Sequence, residues 1–465
     1  MLKIGTVEGL TPNEQKDLNE LVEVFNYHES ANEIKARYYE GHIRLSEVNL
    51  GIAIPKTFQN LEIGCEWGRK CVDVLAARSM FDGFVGANGE TNEELLQIMS
   101  DNRFISEYMK ARKDELKFGC TFATLSADED IRCKIRFHSP KTSAALWNGA
   151  KGRIDRGLAI IDSVRDESEN STWIPARINM YNDEAIIVLE YDGRKWNSTK
   201  LSHKMGRPLM EPLIWNPTSD KPLGTSRIKE PIRRLIQGYV RTIANATIGL
   251  EFATSPQKYL LGVTDDQFDK IINDKFRQYV GSILAATANP ESGEKPTFGQ
   301  LQQGHIAPHV EMLRMLATQF SAATGLSVTD TGVVNDANPT SSEAILAQTQ
   351  TLVLMAEQLN AANGDSLRVI AQMALAIAND TTMENLDDQS KNIIAHFKNP
   401  AMPSITATAD AAIKIASARA SFADTDTFLE MIGFGQADVR RIKAQEQRSR
   451  GMLVLEEEFN DENIE

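Results

Sequence analysis

The feature that most constrains this chain is one very long helical pattern, from about Ser341 to Asn379. Thr340-Ser-Ser-Glu343 is a capping box, which marks where the helix starts. At 1.5 Å per residue the helix is roughly 55–60 Å long, about twice the diameter of a small domain. Its many alanines let packing partners approach closely. Gly364 lies inside it and is the expected hinge, because glycine costs ~1 kcal/mol against alanine in a helix. Whatever else the chain builds must be arranged along this rod.

Other helices are well marked on either side. Thr11-Pro12-Asn13-Glu14 is a second capping box with proline in the first turn. Leu18, Leu21, Val22 and Phe25 follow at helical spacing, and Gly41 stops the helix. Helices are predicted over about Phe58 to Met80 and in a region from Asn92 to Lys117. From Cys120 to about Pro212 the pattern changes to short β-branched or alternating runs: CTFATL, IRCKIRFH, RGLAIIDSV, ARINMY and AIIVLEYD. The fold class is therefore α+β.

Beyond Pro212, an amphipathic helix carries Ile232, Leu235, Ile236, Tyr239, Val240 and Ile243 on one face, with Ser226 as its expected cap. Residues 255–300 read as an insertion with an extended piece, KYLLGV, and a short helix, DDQFDKIINDKFRQYV. A further helix, about Ile306 to Thr324, places Ile306, Val310, Leu313, Ala317, Phe320 and Thr324 on one face, and Gly325 stops it. The segment GLSVTDTGVVNDANPT is a polar loop with no Lys or Arg. Helical patterns return in ADAAIKIASARASF, DTFLEMIGFG and QADVRRIKAQEQRSR, and EEEFNDENIE reads as a solvated acidic tail.

Composition narrows the function. At 465 residues, about three domains are expected. No run approaches the ~18–20 apolar residues of a membrane helix. The N-terminal residues do not read as a secretory leader, and four cysteines are too few for a disulfide framework. The net charge of −14 excludes a chain that binds duplex DNA mainly by neutralising phosphates. The dipeptide Gly-Lys never occurs, so there is no P-loop. His305 and His309 are four apart, but no Glu lies between them. Cys65, Cys71, Cys120 and Cys133 lack zinc-site spacing, so no metal, cofactor or catalytic residue is expected.

Seven segments in order carry a family resemblance: YYEGHIRL (38–45), GRPLMEPLIWN (206–216), LGTSRI (223–228), SPQKYLLG (255–262), QFSAATGL (319–326), NPTSSEAILAQTQTLVLMAEQ (338–358) and ITATADAAIKIASA (405–418). Together they resemble the portal proteins of tailed double-stranded-DNA bacteriophages. The resemblance implies a wing at 1–223, a first stem helix at 224–253, a clip at 254–303 and a second stem helix at 304–324. A tunnel loop at 325–340, a long kinked helix at 341–380 and a crown with acidic tail at 381–465 follow. Relatives often carry proline after the TGL segment, where Ser327 stands here.

The family function implied is a non-enzymatic ring, typically of twelve copies, at one capsid vertex. It serves genome packaging, head–tail joining and ejection. Implied partners are DNA in transit, the terminase large subunit at the clip, a head–tail adaptor, and the major capsid and scaffolding proteins. The implied location is the virion, with assembly in the host cytoplasm. The loop residues Val328, Thr329, Asp330, Thr331, Gly332, Val333, Val334, Asn335 and Asp336 are expected to face DNA. Arg227, Lys229, Arg233, Arg234 and Arg241 are candidates for the stem channel, with a solvated face or inter-subunit ion pairs as the alternative. A cytosolic hydrolytic enzyme with a helical C-terminal domain, or another capsid-associated structural protein such as a scaffold or adaptor, are the competing readings.

Overall fold

The computed structural model describes residues 1–44, 62–86, 92–165, 173–254, 258–261, 297–300, 305–333, 342–401, 405–435 and 438–449. The chain opens with β1 (Val7–Glu8) and α1 (Pro12–Glu40). The predicted capping box of α1 is formed in both directions, and Gly41 ends the helix in the left-handed region at φ 77°. Then come β2 (His42–Arg44), β3 (Glu62–Gly64), α2 (Trp67–Arg78) and β4 (Phe81–Val85). The helix expected from Phe58 therefore starts later, because residues 62–64 pair with β2 as a strand. Helices α3 (Glu93–Asp101) and α4 (Phe104–Phe118) replace the single region expected from Asn92. They are separated at Arg103, whose φ is 49°.

Eight strands follow: β5 (Cys120–Asp128), β6 (Arg132–His138), β7 (Ser143–Asn148), β8 (Arg153–Arg165), β9 (Trp173–Tyr181), β10 (Ala185–Tyr191), β11 (Trp196–Ser202) and β12 (Met210–Ile214). A six-stranded sheet has the order β1-β11-β10-β9-β8-β7, and a three-stranded sheet has the order β12-β5-β6. All five runs read as strands are strands. β7, β11 and β12 had not been read as strands. β11 is polar along most of its length, and β12 holds Pro212, which is tolerated there because β12 is an edge strand.

The large sheet is covered on both faces, and side-chain alternation sorts its residues. Ile187 and Leu189 of β10 pack with Leu18, Leu21 and Phe25 of α1. Ile186 and Val188 point the other way, into a core shared with Phe104 and Tyr108 of α4 and with Phe122 and Leu125 of β5.

Helix α5 (Glu230–Thr254) leads to a strand pair, β13 (Lys258–Leu261) with β14 (Thr297–Gln300), and then to α6 (Ala307–Thr324). The expected extended piece KYLLGV is in part this strand. The expected short helix DDQFDKIINDKFRQYV lies outside the described residues. The long helix is α7 (Ser342–Ala378), continuous through Gly364, and its predicted capping residue Thr340 lies outside the described residues. The chain continues through β15 (Ile394–Phe397), which pairs with β4, then α8 (Ile405–Ala418), α9 (Asp426–Ile432) and a helical stretch at 438–449.

Helix α7 takes part in two cores. Leu352, Ala356 and Leu359 join α2, α5 and α6, whereas Leu367, Ile370 and Ala374 join α4 and the two sheets.

Close approach of backbone fixes how α1 meets α2. A side chain on Gly68 would place its Cβ 2.0 Å from the Tyr38 carbonyl oxygen. Gly68→Ala is expected to lower stability by about 1–3 kcal/mol. Gly5→Ala, with nothing within 4 Å, should stay within about 0.5 kcal/mol. Urea denaturation of the two variants beside wild type checks this.

Candidate functional site

The apolar stripes of α5 and α6 bring these helices together. Ile232, Ile236 and Val240 of α5 are buried with Leu316, Ala317 and Phe320 of α6. Gly238 lets them approach: a Cβ there would stand 3.1 Å from Leu316 Cδ2. The outer part of the predicted α6 face is open, with Val310 exposed. Ser226 does not cap α5, which starts four residues later. Its hydroxyl donates instead to the Lys117 carbonyl at 2.5 Å and accepts from the Ile228 N–H.

Helix α6 ends at Gly325, in the left-handed region at φ 73°. The chain then makes one tight helical turn, Val328–Thr331. Ser327 caps this turn in a reciprocal box. Its N–H and hydroxyl both donate to Asp330 Oδ2, at 3.1 and 2.9 Å, while the Asp330 N–H donates to Ser327 Oγ at 3.3 Å. Ser327 has φ −71°, the value a proline ring imposes. The backbone thus keeps a conformation that proline would also hold, and the serine adds two hydrogen bonds that proline could not donate.

Two residues tie this turn to the helices. Trp67, the first residue of α2, lies 4.6 Å from the Tyr239 ring and 4.7 Å from the Phe320 ring. Its indole N–H donates to the Thr331 carbonyl at 3.0 Å, within the core. Arg227 Nε donates to the Cys71 carbonyl at 2.5 Å, and Nη2 donates to the Thr324 carbonyl at 2.6 Å. Its guanidinium lies 5.6 Å from the Trp215 ring. Thr324 is the last residue of α6, so this cation meets a carbonyl at the negative end of the helix. Burial pulls the Arg227 pKa down from its usual value, and the carbonyls of Cys71 and Thr324 are what the charge receives in exchange for water.

A family model described as phage portal protein, SPP1 Gp6-like, matches residues 9–452. The chain belongs to the phage portal proteins. It is a phage-like portal protein of the capsid vertex, which the order of seven segments had implied. No curated protein matches the sequence. Solved structures with similar chains include the virion of a native gene transfer agent particle, at 11% identity and TM-score 0.45 over 79% of this chain and 89% of that one. The neck of an empty particle of the same kind matches at 12% identity and TM-score 0.46, over 76% and 86%. The neck of the native particle, computed with C12 symmetry, matches at 12% identity and TM-score 0.44, over 79% and 89%. The family assignment rests on the sequence match.

Set against this portal subunit, the predicted cations separate. Arg227 is a correction: it is buried and spent on carbonyls, so it is not part of a channel-facing strip. Lys229 is exposed, and Arg234 is exposed and paired with Glu230 at 3.1 Å. Arg233 is half-buried, 5.9 Å from the Tyr38 ring, and Arg241 is also half-buried. The loop needs a correction too. Thr331 is buried, and Val328 and Val333 pack on the helical core, so these three point inward. Asp330 is half-buried and engaged in the cap, while Thr329 and Gly332 are exposed. Val334, Asn335 and Asp336 lie outside the described residues.

His305 is exposed and His309 half-buried, and among the described residues no three His, Cys, Asp or Glu side chains could hold a metal ion. Burial pushes the thiols of Cys65, Cys71 and Cys133 up to about 12, as core cysteines. Trp67 was not singled out from the sequence. It stands 264 residues from its carbonyl partner, and no local pattern connects the two.

Trp67→Phe keeps an aromatic ring between Tyr239 and Phe320 but leaves the buried Thr331 carbonyl without its donor. The variant is expected to lose about 1–3 kcal/mol and to exchange amide hydrogens faster over residues 325–333. Hydrogen-exchange mass spectrometry compares it with wild type.

Proposed function

We propose that this subunit forms a closed ring of twelve copies that passes double-stranded DNA through one capsid vertex during packaging and ejection. The observation that carries the proposal is the family match over residues 9–452. On this reading residues 1–223 are the wing, and α5 and α6 are stem helices flanking a clip at 254–303. Residues 325–340 are the tunnel loop, α7 is the long helix with Gly364 as its hinge, and 381–465 are the crown and tail. Portal proteins are structural. The work of packaging would come from an ATP-driven terminase docked at the clip, with a head–tail adaptor, the major capsid protein and scaffolding protein as further partners. The ring would sit in the virion after assembly in the host cytoplasm.

Charge supports a passive channel. Twelve copies at −14 give 12 × −14 = −168. Such a ring repels phosphate, and sliding needs weak contacts because each firm phosphate contact adds a salt-dependent barrier. The anchored turn supports a loop whose near end is held by Trp67 and Arg227 while Thr329 and Gly332 face outward.

Assembly is tested by native mass spectrometry. The expected species is about 600 kDa, from 12 × 51.6 kDa. Monomer or dimer alone at micromolar concentration contradicts the ring. DNA contact is tested by charge reversal at positions that spare the Asp330 cap. Thr329→Lys with Asp336→Lys adds 2 × 12 = 24 cations to a twelve-fold ring. At ~0.5 kcal/mol per exposed contact, several simultaneous contacts should retain DNA. Intact rings with stalled, salt-sensitive packaging are expected, read as packaged DNA length at two salt concentrations. Wild-type packaging at low salt would remove this loop from the DNA path.

A further inference from the structure

Halfway along the long helix, where it passes from one core to the other, sits a buried polar pair without an obvious charge balance. Glu115 of α4 and Asn363 of α7 are both fully buried, at 0% exposure. Asn363 Nδ2 donates to Glu115 Oε2 at 2.9 Å and also to the Tyr108 hydroxyl at 3.1 Å. The other oxygen of each group, Glu115 Oε1 and Asn363 Oδ1, has no hydrogen-bond partner among the described residues. Both are acceptors when the carboxyl is ionised, so neither can satisfy the other.

One proton resolves both vacancies. On a neutral carboxylic acid, Oε1–H donates to Asn363 Oδ1 while Oε2 accepts from Nδ2, and the two groups close into a doubly bonded ring. We infer that Glu115 carries a proton in the folded protein and forms a two-bond acid–amide pair with Asn363, a clamp between α4 and the long helix that loosens when the proton leaves.

The surroundings agree. Arg112 and Tyr108 face Glu115 from its own helix, Asn363 from α7 and Cys120 from β5. Ser79 faces Tyr108, and Asp73 of α2 faces Arg112. Arg112 is the one cation among these, and its Nε and Nη1 have no hydrogen-bond partner, so they place no bond on Oε1. Burial dominates, pushing the Glu115 carboxyl up to about 8, with the Asn363 bond and Arg112 pulling weakly the other way. An isolated Arg–Glu pair would need direct contact to repay desolvation. The inference does not depend on the portal reading.

The sign of the pH dependence follows. The folded state keeps a proton that the unfolded chain releases near 4.5, so this contribution to stability is complete below that pH. It declines as pH rises towards about 8 and is absent above. The test is urea unfolding of the full chain, wild type against Glu115→Gln, across that window. Glutamine keeps one donor and one acceptor in the same plane and does not titrate. The wild-type unfolding constant should rise relative to the variant by up to about tenfold per pH unit. A wild-type-to-variant ratio that stays constant across the window overturns the inference.

Infrared spectroscopy provides the second readout, independent of whether Glu115→Gln folds. Among the described residues, buried Glu211, beside Arg207, is the other carboxyl raised, to about 7, so the spectra are taken on Glu211→Gln with Glu115 intact. A protonated-carboxyl band should be present there at neutral pH and vanish well above about 8. No such band at neutral pH also overturns the inference.

Discussion

Two of this subunit's cores share one helix, α7. Its first half presents Leu352, Ala356 and Leu359 to the helices, and its second half presents Leu367, Ile370 and Ala374 to α4 and the sheets. Fully burying a leucine or isoleucine is worth about 1.5–3 kcal/mol, so each half is held by several such contributions. Cooperative helix formation then makes the two halves one rod. Helix α7 thus joins the helical core to the sheet-bearing core through one continuous backbone. Glu115 and Asn363 lie where one set of contacts gives way to the other.

The end of α6 shows why particular residue types recur at one place. A helix terminus leaves carbonyls without partners, and burying them demands donors. Arg227 supplies a fork that reaches two carbonyls from different elements, at Cys71 and Thr324, which a single ammonium on a flexible stem does less well. Trp67 supplies both ring surface and an N–H, satisfying the Thr331 carbonyl while filling the space between Tyr239 and Phe320. The turn that follows α6 is therefore rigid at its near end for reasons of hydrogen-bond supply. Ser327 meets the same demand locally through its cap with Asp330.

Two other buried polar groups behave differently from the Glu115 pair. Asn102 is buried and nearly saturated. It donates to the carbonyls of Ile98 and Cys133 and accepts from the Ile135 N–H, stitching α3 to β6. Neutral His138 shares a hydrogen bond of 2.9 Å with Thr124, and burial pushes its pKa down to about 4. These groups are satisfied without a titrating proton. Beside Asn102 and His138, Glu115 is, on the inference above, a group whose satisfaction depends on pH.

Local signals determined a large part of the architecture. The capping boxes, glycine stops and apolar periodicity marked α1, α5, α6 and α7 within a few residues, and β-branched runs marked five strands. These features are legible because a helix or strand records its own environment at period 3.6 or 2. The seven ordered segments carried the family resemblance. Only tertiary structure decided which functional residues face where. Arg227 reads as part of a cationic strip together with Arg233 and Arg234, yet it is buried under the end of α6. Val328, Thr331 and Val333 read as a solvent-facing loop, yet they close over a core. Trp67 and Thr331, like Glu115 and Asn363, are partners more than 240 residues apart. The physical reason is that burial and hydrogen-bond satisfaction are settled by whatever the fold brings alongside, and a linear pattern records only its immediate neighbours.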